Sequence, residues 1–160
     1  MPDVNVLVYA HRGGTPEHER IGAWLETALN GNAPLGLASV VLSGVLRVVT
    51  HPRVFAQPTP IEMALEFVES LRGSPNCVEV VPGPRHWRIF VELCRATGAT
   101  GNRVPDAYLA ALAIESGSEW LTTDRGFARF DGLRWRHPLD RAGGALSAEG
   151  GLPPTPGDSV

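Results

Sequence analysis

The sequence predicts an α/β fold with a short, mainly parallel sheet, and three observations lead to this prediction. Helical segments with clear start and stop signals alternate with short runs of β-branched and aromatic residues. Such alternation is typical of parallel strands joined by right-handed helical crossovers. At 160 residues, 43% of them hydrophobic and 19% charged, the chain has the length and composition of one globular domain.

In the first half of the chain, proline marks the start of two helices. Thr15 is predicted to cap a helix that begins at Pro16 and stops near Gly31. Thr59 and Glu62 are predicted to form a capping box at the start of a second helix.

The segment between these helices is apolar on nearly every side. Ser39 is predicted to cap a helix over about residues 40–50, with Pro52 beyond its end. A helix with so little polar surface is either buried in the core or covered by another chain.

The second half of the chain continues the alternation of strands and helices. Residues 76–83 indicate a strand and residues 85–98 a helix. An alanine-rich helix follows, with Pro105 at its start and Gly117 at its stop. Two short strands, within residues 119–124 and 133–138, flank a helical turn at residues 125–130.

The end of the chain differs in composition from the rest. From Arg141 onward Gly, Pro, Ala and Ser dominate, so residues 141–160 are predicted to be a disordered C-terminal tail. The folded domain is therefore predicted to span residues 1–140.

Composition limits the classes of function. The net charge of −3 is not that of a typical nucleic-acid-binding domain, although all 14 basic residues are arginines, which suit bidentate phosphate contacts. No signal peptide or membrane span is recognisable, so we expect a cytoplasmic protein. The two cysteines form no C-x-x-C pair and are too few for a disulfide scaffold.

Three aspartates stand where the strands of an α/β sheet present ligands. Asp3 begins the chain, Asp106 follows Pro105 at a helix start, and Asp124 ends a predicted strand. Ligands bind outside the carboxyl ends of parallel strands, so these side chains are expected to converge. Carboxylates brought together repel one another unless a cation lies between them, and carboxylate oxygen is the ligand that Mg²⁺ or Mn²⁺ prefers. Taken singly, each aspartate also has an ordinary explanation, as a helix cap for Asp106 and Asp124 and as a frayed terminal residue for Asp3.

The segments around these aspartates, "DVNVLVYA", "PDAYLAALA" and "TTDRGFARF", occur in that order in the chain. Together they resemble the PIN domain, specifically the VapC toxins of bacterial toxin–antitoxin pairs, over about residues 3–138. The resemblance implies a three-layer α/β/α fold and a Mg²⁺- or Mn²⁺-dependent endoribonuclease, inhibited by a VapB-like antitoxin and often a homodimer. It implies that Asp3, Asp106 and Asp124 are catalytic and metal-binding, with Asn5 and Thr123 as polar support.

The sequence departs from the family at the second helix, where a glutamate is usual. The family pattern aligns with "LSGVLRV" and places Gly44 at the acidic position. Glycine removes one ligand and weakens a helix by about 0.5–1 kcal/mol relative to alanine. This departure leaves a second hypothesis open, namely a catalytically impaired PIN-like protein that acts only by binding an antitoxin.

A second departure lies at the N-terminus. The apolar pattern of residues 4–10 alone predicts a strand, whereas the resemblance places Asp3 at a strand end and a turn and short helix after it. Only Met1 and Pro2 precede Asp3, so we expect the natural protein to begin a few codons earlier.

The remaining candidates concern the substrate and the rival functions. Arg12, Arg47, Arg103 and Arg125 are candidates for binding the RNA backbone, or are ordinary surface charge. An aspartate-nucleophile phosphatase is disfavoured because Asn5 stands where a second aspartate is needed. A dinucleotide-binding fold is disfavoured because no G-x-G-x-x-G lies between a strand and a helix.

Overall fold

The computed structural model describes residues 1–14 and 16–140, and its elements alternate as predicted. The predicted cap at Thr15 and the predicted tail at residues 141–160 lie outside the described residues. In chain order the elements are α1 Val4–His11, α2 Pro16–Leu29, β1 Leu35–Leu37, α3 Ser39–Val49, α4 Ile61–Arg72, β2 Cys77–Glu79, α5 His86–Thr97, α6 Arg103–Ser116, β3 Trp120–Leu121, a 3₁₀ turn Arg125–Arg129, and β4 Trp135–Arg136.

The strands are short and parallel, which confirms the predicted fold class. Strand β1 pairs with β2, and β3 pairs with β4. Residues 1–3 run alongside β3: the Leu121 amide donates to the Met1 carbonyl at 2.9 Å, and the Asp3 amide donates to the Leu121 carbonyl at 2.8 Å. Asp3 therefore lies at the end of an extended segment beside β3, as the resemblance implied.

Residues 4–11 form a helix, so the strand predicted from their apolar pattern alone is wrong. Asp3 has extended backbone dihedral angles and accepts a hydrogen bond from the Val4 amide, which makes it the N-cap of α1. Val6 and Leu7 are both fully buried. A strand inside a parallel sheet also buries successive residues, so the apolar pattern does not distinguish the two structures, and the Asp3 cap is the local feature that starts the helix.

Two predicted helix caps are replaced by long-range contacts. Thr59 is not a cap, because α4 has Pro60 at its N-cap without a side-chain hydrogen bond, and the Thr59 hydroxyl accepts from Arg12 at 3.0 Å. Ser39 is the first residue of α3 rather than its cap, and its hydroxyl donates to Glu79 at 3.3 Å.

Burial in the core explains most of the apolar composition of helix α3. It packs against α1 and α4. Its buried residues are Val41, Leu42, Val45 and Val49, whereas Val40 is 47% exposed. No helix among the described residues is long and apolar enough to cross a membrane.

Helix α6 packs tightly because its buried side chains are small. Alanine occupies positions 107, 110, 111 and 113, each with no exposed surface, and α6 packs against α5. Gly117 ends the helix with φ of 65°, a left-handed conformation that glycine adopts without strain. The packing of α6 fixes the position of its first turn, which carries Asp106.

We predict that Ala110→Leu lowers the free energy of unfolding by about 1–3 kcal/mol, because the added methylene groups have no space at this fully buried position. Urea unfolding would measure the change. Ala96→Leu, at an exposed position of α5, is the matched control and should change stability by less than about 0.5 kcal/mol. Equal effects of the two substitutions would contradict tight packing at Ala110.

Candidate active site

Asp3 is a buried carboxylate whose oxygens are both hydrogen-bonded. Only 6% of its surface is exposed. One oxygen accepts from the Val4 amide at 2.6 Å. The other accepts from the Asn5 side-chain amide at 2.9 Å and from the Thr122 hydroxyl at 2.6 Å. These three donors hold the side chain in one orientation.

The same network joins the start of α1 to the end of β3. The Thr122 hydroxyl accepts from the Asn5 amide and from the Asp124 backbone amide, both at 3.0 Å. The Asn5 side-chain oxygen accepts from the Thr123 backbone amide at 3.3 Å. Asn5 therefore has the supporting contacts that the resemblance implied, whereas the Thr123 contact involves its backbone.

Thr122 is the supporting residue that the sequence analysis missed. It is fully buried beside the Asp3 carboxylate. The period of two in an extended segment puts residues 120 and 122 on the same face, and Trp120 is a core residue. A threonine on the core face of a strand, two residues before an aspartate, was the available signal.

Asp106 and Asp124 are held less rigidly than Asp3. Asp106 lies in the first turn of α6 and is partly exposed. Asp124 is exposed and caps the 3₁₀ turn, since its side chain accepts from the Gly126 amide at 2.7 Å. Asp124 therefore does cap a helical turn, which was its ordinary interpretation in the sequence. Its side chain also lines the cleft that is described next.

The three aspartates line one cleft of about 450 Å³, which we call the acidic cleft. Asp3 and Asp106 also line a neighbouring cleft of about 770 Å³ between α3 and α6. Three carboxylates that are remote along the chain thus line a single cleft. Among the described residues, however, no three His, Cys, Asp or Glu side chains are arranged to hold a metal ion as they stand.

The acidic cleft raises the pKa of two of its carboxyl groups. Burial raises the pKa of Asp3 to about 6, and the charges of Asp106 and Asp124 add to the rise, although the hydrogen bonds from Thr122 and Val4 oppose it. Burial also raises the pKa of Asp106, with the charge of Asp124 adding to the effect and Arg129 opposing it. A cation in the cleft would relieve the repulsion that contributes to both shifts.

The carboxylate oxygens of the three aspartates are chemically suited to a hard divalent cation. All three side chains offer carboxylate oxygens, the ligands that Mg²⁺ and Mn²⁺ prefer. Asp3 is fixed by its hydrogen bonds, whereas Asp106 is partly exposed and Asp124 is exposed, with a hydrogen bond from the Gly126 amide. Asp3 is therefore the most firmly held of the three carboxylates.

The four arginines named as candidates for RNA binding have different surroundings. Arg12 donates to the Thr59 hydroxyl and to the Gln57 carbonyl, so its guanidinium is engaged within the protein. Arg47 lines the larger cleft beside Asp3 and Asp106. Arg125 lines a separate polar cleft, and Arg103 is exposed at the start of α6.

The space at Gly44 is occupied by Val4. A Cβ atom on Gly44 would lie 2.7 Å from Cγ2 of Val4, closer than carbon atoms can pack. The glycine thus permits the close approach of α3 to the first turn of α1. The position that carries an acid in the related family has no room for a side chain here.

We predict that in metal-free protein Asp3 titrates near pH 6, and that Asp106→Asn lowers this pKa by removing a neighbouring charge. Because the pKa is raised on folding, Asp3 favours the fold below pH 4, and about 3 kcal/mol of this contribution is lost as pH rises through about 6. Carbon-13 NMR of the aspartate carboxyl groups would measure the titration. A value near 3.8, unchanged by Asp106→Asn, would contradict the coupling of the two groups.

We predict that the sign of the Gly44→Ala effect depends on residue 4. With Val4 present, the collision should lower the free energy of unfolding by about 1–2 kcal/mol. In a Val4→Ala background, the same change should raise it by about 0.5–1 kcal/mol through helix propensity. Urea unfolding of the four proteins would test this, and an equal effect in both backgrounds would refute the Val4 contact.

Comparison with known proteins gives consistent matches over most of the chain. A family model described as the PIN domain matches residues 1–133. Ribonuclease VapC43 of Mycobacterium tuberculosis is 50% identical over 138 residues, which cover 86% of this chain and 94% of the relative. Ribonuclease VapC25 of the same organism is 38% identical over 136 residues, which cover 85% of this chain and 96% of the relative.

Solved structures with low sequence identity share the fold. VapBC2 from Rickettsia felis, bound to a DNA fragment from its promoter, matches with a TM-score of 0.61 at 19% identity and covers 86% of this chain and 96% of that one. FitAcB from Neisseria gonorrhoeae matches with a TM-score of 0.57 at 20% identity, with the same coverage. With a family model matching residues 1–133 and relatives up to 50% identical, this chain belongs to the PIN-domain family.

Proposed function

We propose that this protein is a metal-dependent endoribonuclease that acts as the toxin of a bacterial toxin–antitoxin pair. The observation that carries the proposal is the acidic cleft, where Asp3, Asp106 and Asp124 come together from three separate parts of the chain. The relatives named ribonucleases support the same activity, since they share up to 50% identity over nearly their whole length.

The proposed cofactor is Mg²⁺ or Mn²⁺, held by Asp3, Asp106 and Asp124. When bound, such a cation supplies Lewis acidity for in-line hydrolysis of a phosphodiester bond. The pKa values of Asp3 and Asp106 are raised mainly by burial, and the charges of the neighbouring carboxylates add to the rise; a cation would balance this second contribution.

The side chains of the protein position the site, bind the substrate and limit charge repulsion. Asp3, held by three donors, fixes the position of the site relative to the sheet. Arg47, in the adjoining cleft, is placed to hold a phosphate of the RNA backbone. Arg129 lies close enough to Asp106 to lower its pKa, so it limits the repulsion between the carboxylates before the cation binds.

The proposed protein partners are a VapB-like antitoxin and a second copy of this chain. The names of the solved neighbours, VapBC2 and FitAcB, support an antitoxin partner. Exposed apolar residues on α4, namely Ile61, Met63 and Leu65, provide surface of the kind that protein interfaces bury. A cytoplasmic location remains a prediction.

The alternative is a catalytically impaired protein that only binds its antitoxin. Its support is Gly44, which replaces an acid of the related family. This alternative is disfavoured because relatives such as Ribonuclease VapC43 are named ribonucleases and because all three aspartates line the acidic cleft.

We predict that the purified protein cleaves RNA only when Mg²⁺ or Mn²⁺ is present, and that Asp106→Asn lowers kcat/KM by about 100-fold or more. The substitution removes a charge from the cleft but keeps the size of the side chain. A panel of transfer and ribosomal RNAs, separated on denaturing gels with and without a chelator, would measure the cleavage.

The matched control is Asp131→Asn, which removes an exposed carboxylate from the loop after the 3₁₀ turn. Its activity should equal that of the unmodified protein. Cleavage that survives in Asp106→Asn, or that persists in the chelator, would rule out the proposed site. Background cleavage in all three proteins would favour the binding-only alternative.

A further inference from the structure

We propose that the acidic cleft also binds one unpaired nucleobase of the RNA, next to the phosphate that is cleaved. The base would lie against three side chains, Tyr9, Val54 and Phe55, which we call the base wall. This inference rests on the proposed ribonuclease activity and adds to it the part of the substrate that the cleft recognises.

The lining of the acidic cleft has two chemically different parts. Three carboxylates and the Asn5 side chain supply the polar part, and the remaining lining is apolar. A volume of about 450 Å³ is in the range of sites that hold one small molecule. A nucleotide matches this division, because its phosphate is polar and requires a cation beside carboxylates, whereas its base presents flat apolar faces. The apolar lining consists of Val4, Val8, Tyr9, Val48, Val54, Phe55 and Phe127.

The base wall has exposed apolar surface that has no role in binding a metal ion. Tyr9 is 39% exposed and Val54 is 53% exposed, although both line the same cleft as the aspartates. Single-stranded RNA is commonly bound by stacking of its bases on aromatic side chains, and each such contact contributes substantially to affinity. The ring of Tyr9 and the face of the Phe55 ring opposite Arg12 would offer two such surfaces.

Arg12 holds the base wall in position. Its guanidinium carbon lies 4.2 Å from the centre of the Phe55 ring, a cation–π contact. The same guanidinium donates to the Thr59 hydroxyl at 3.0 Å and to the Gln57 carbonyl at 3.1 Å. The loop that carries Phe55 is thereby fastened to the end of α1, and Arg12 is a positioning residue.

The loop is also ordered by its own backbone. The amides of Val54 and Phe55 both donate to the His51 carbonyl, at 3.0 and 3.2 Å. Thr59, at the far end of the loop, is buried. Because the loop is held at both ends, the base wall is already ordered in the free protein. It therefore loses little conformational entropy when a base binds.

The chemistry of the wall predicts what kind of base it accepts. Stacking uses the π face that every base has, so we expect weak sequence preference, with purines favoured over pyrimidines by their larger faces. The base must be unstacked to enter the cleft, so unpaired loops of RNA should be cut in preference to helices.

The test uses short single-stranded RNAs in which the nucleotide on either side of the cleaved bond is replaced, one at a time, by an abasic ribose. For the unmodified protein with Mg²⁺, abasic replacement on one side should raise KM about tenfold, with kcat little changed. Phe55→Leu should raise KM about tenfold for normal RNA and should show no further loss with abasic RNA. Trp87→Leu, which removes a 69% exposed aromatic ring from α5, is the matched control and should leave KM unchanged.

A second measurement reads base binding without cleavage. Stopped-flow mixing with RNA that contains 2-aminopurine at the same position should quench its fluorescence, and Tyr9→Leu and Phe55→Leu should each reduce the quench. Urea unfolding of both variants would verify that their folds are intact.

The outcomes separate this inference from the proposed function. Cleavage with equal KM for normal and abasic RNA, and without quenching, would overturn the base wall and leave the ribonuclease intact. Quenching without cleavage would support the wall and refute the activity. Neither quenching nor cleavage would refute both.

Discussion

The burial of the Asp3 carboxylate is the constraint on which the rest of the site depends. A charged group with 6% exposure is stable only if its oxygens are satisfied, and here the backbone of α1, Asn5 and Thr122 supply the donors. Because Thr122 also accepts from the Asp124 amide, the same hydroxyl sets the spacing between the first and third aspartates. The carboxylate therefore fixes the start of α1 and the end of β3 at once.

Local signals in the sequence predicted most of the elements, and long-range contacts explain the two helix caps that were predicted wrongly. The stop of α6 at Gly117 depends on one residue and its own backbone angles, so it could be read from the chain. Ser39 and Thr59 were predicted to cap helices, but their hydroxyls form hydrogen bonds with Glu79 and Arg12, which are distant in sequence. Hydroxyl side chains bind whichever partner the fold brings near, and that partner is not visible in a local pattern.

The site was predictable to the extent that its acids follow a motif. The order and surroundings of Asp3, Asp106 and Asp124 identified all three aspartates that line the acidic cleft. Thr122 was missed because a threonine in a short strand has many ordinary roles, and its partner lies 119 residues away. The sequence revealed the missing acid at Gly44, but only the packed helices show that Val4 occupies its space.

Helix α1 connects the two parts of the acidic cleft in one rigid element. Asp3 caps its N-terminus, Tyr9 lies near its last turn, and Arg12 follows its end. Eight helical residues span about 12 Å, so this helix sets the separation between Asp3 before its first residue and Arg12 after its last. Sites on helices are held more accurately than sites on loops, and the two wall residues that belong to a loop, Val54 and Phe55, are linked to the helix through the contact of Arg12 with the Phe55 ring. The network that buries Asp3 therefore also determines where the base wall stands.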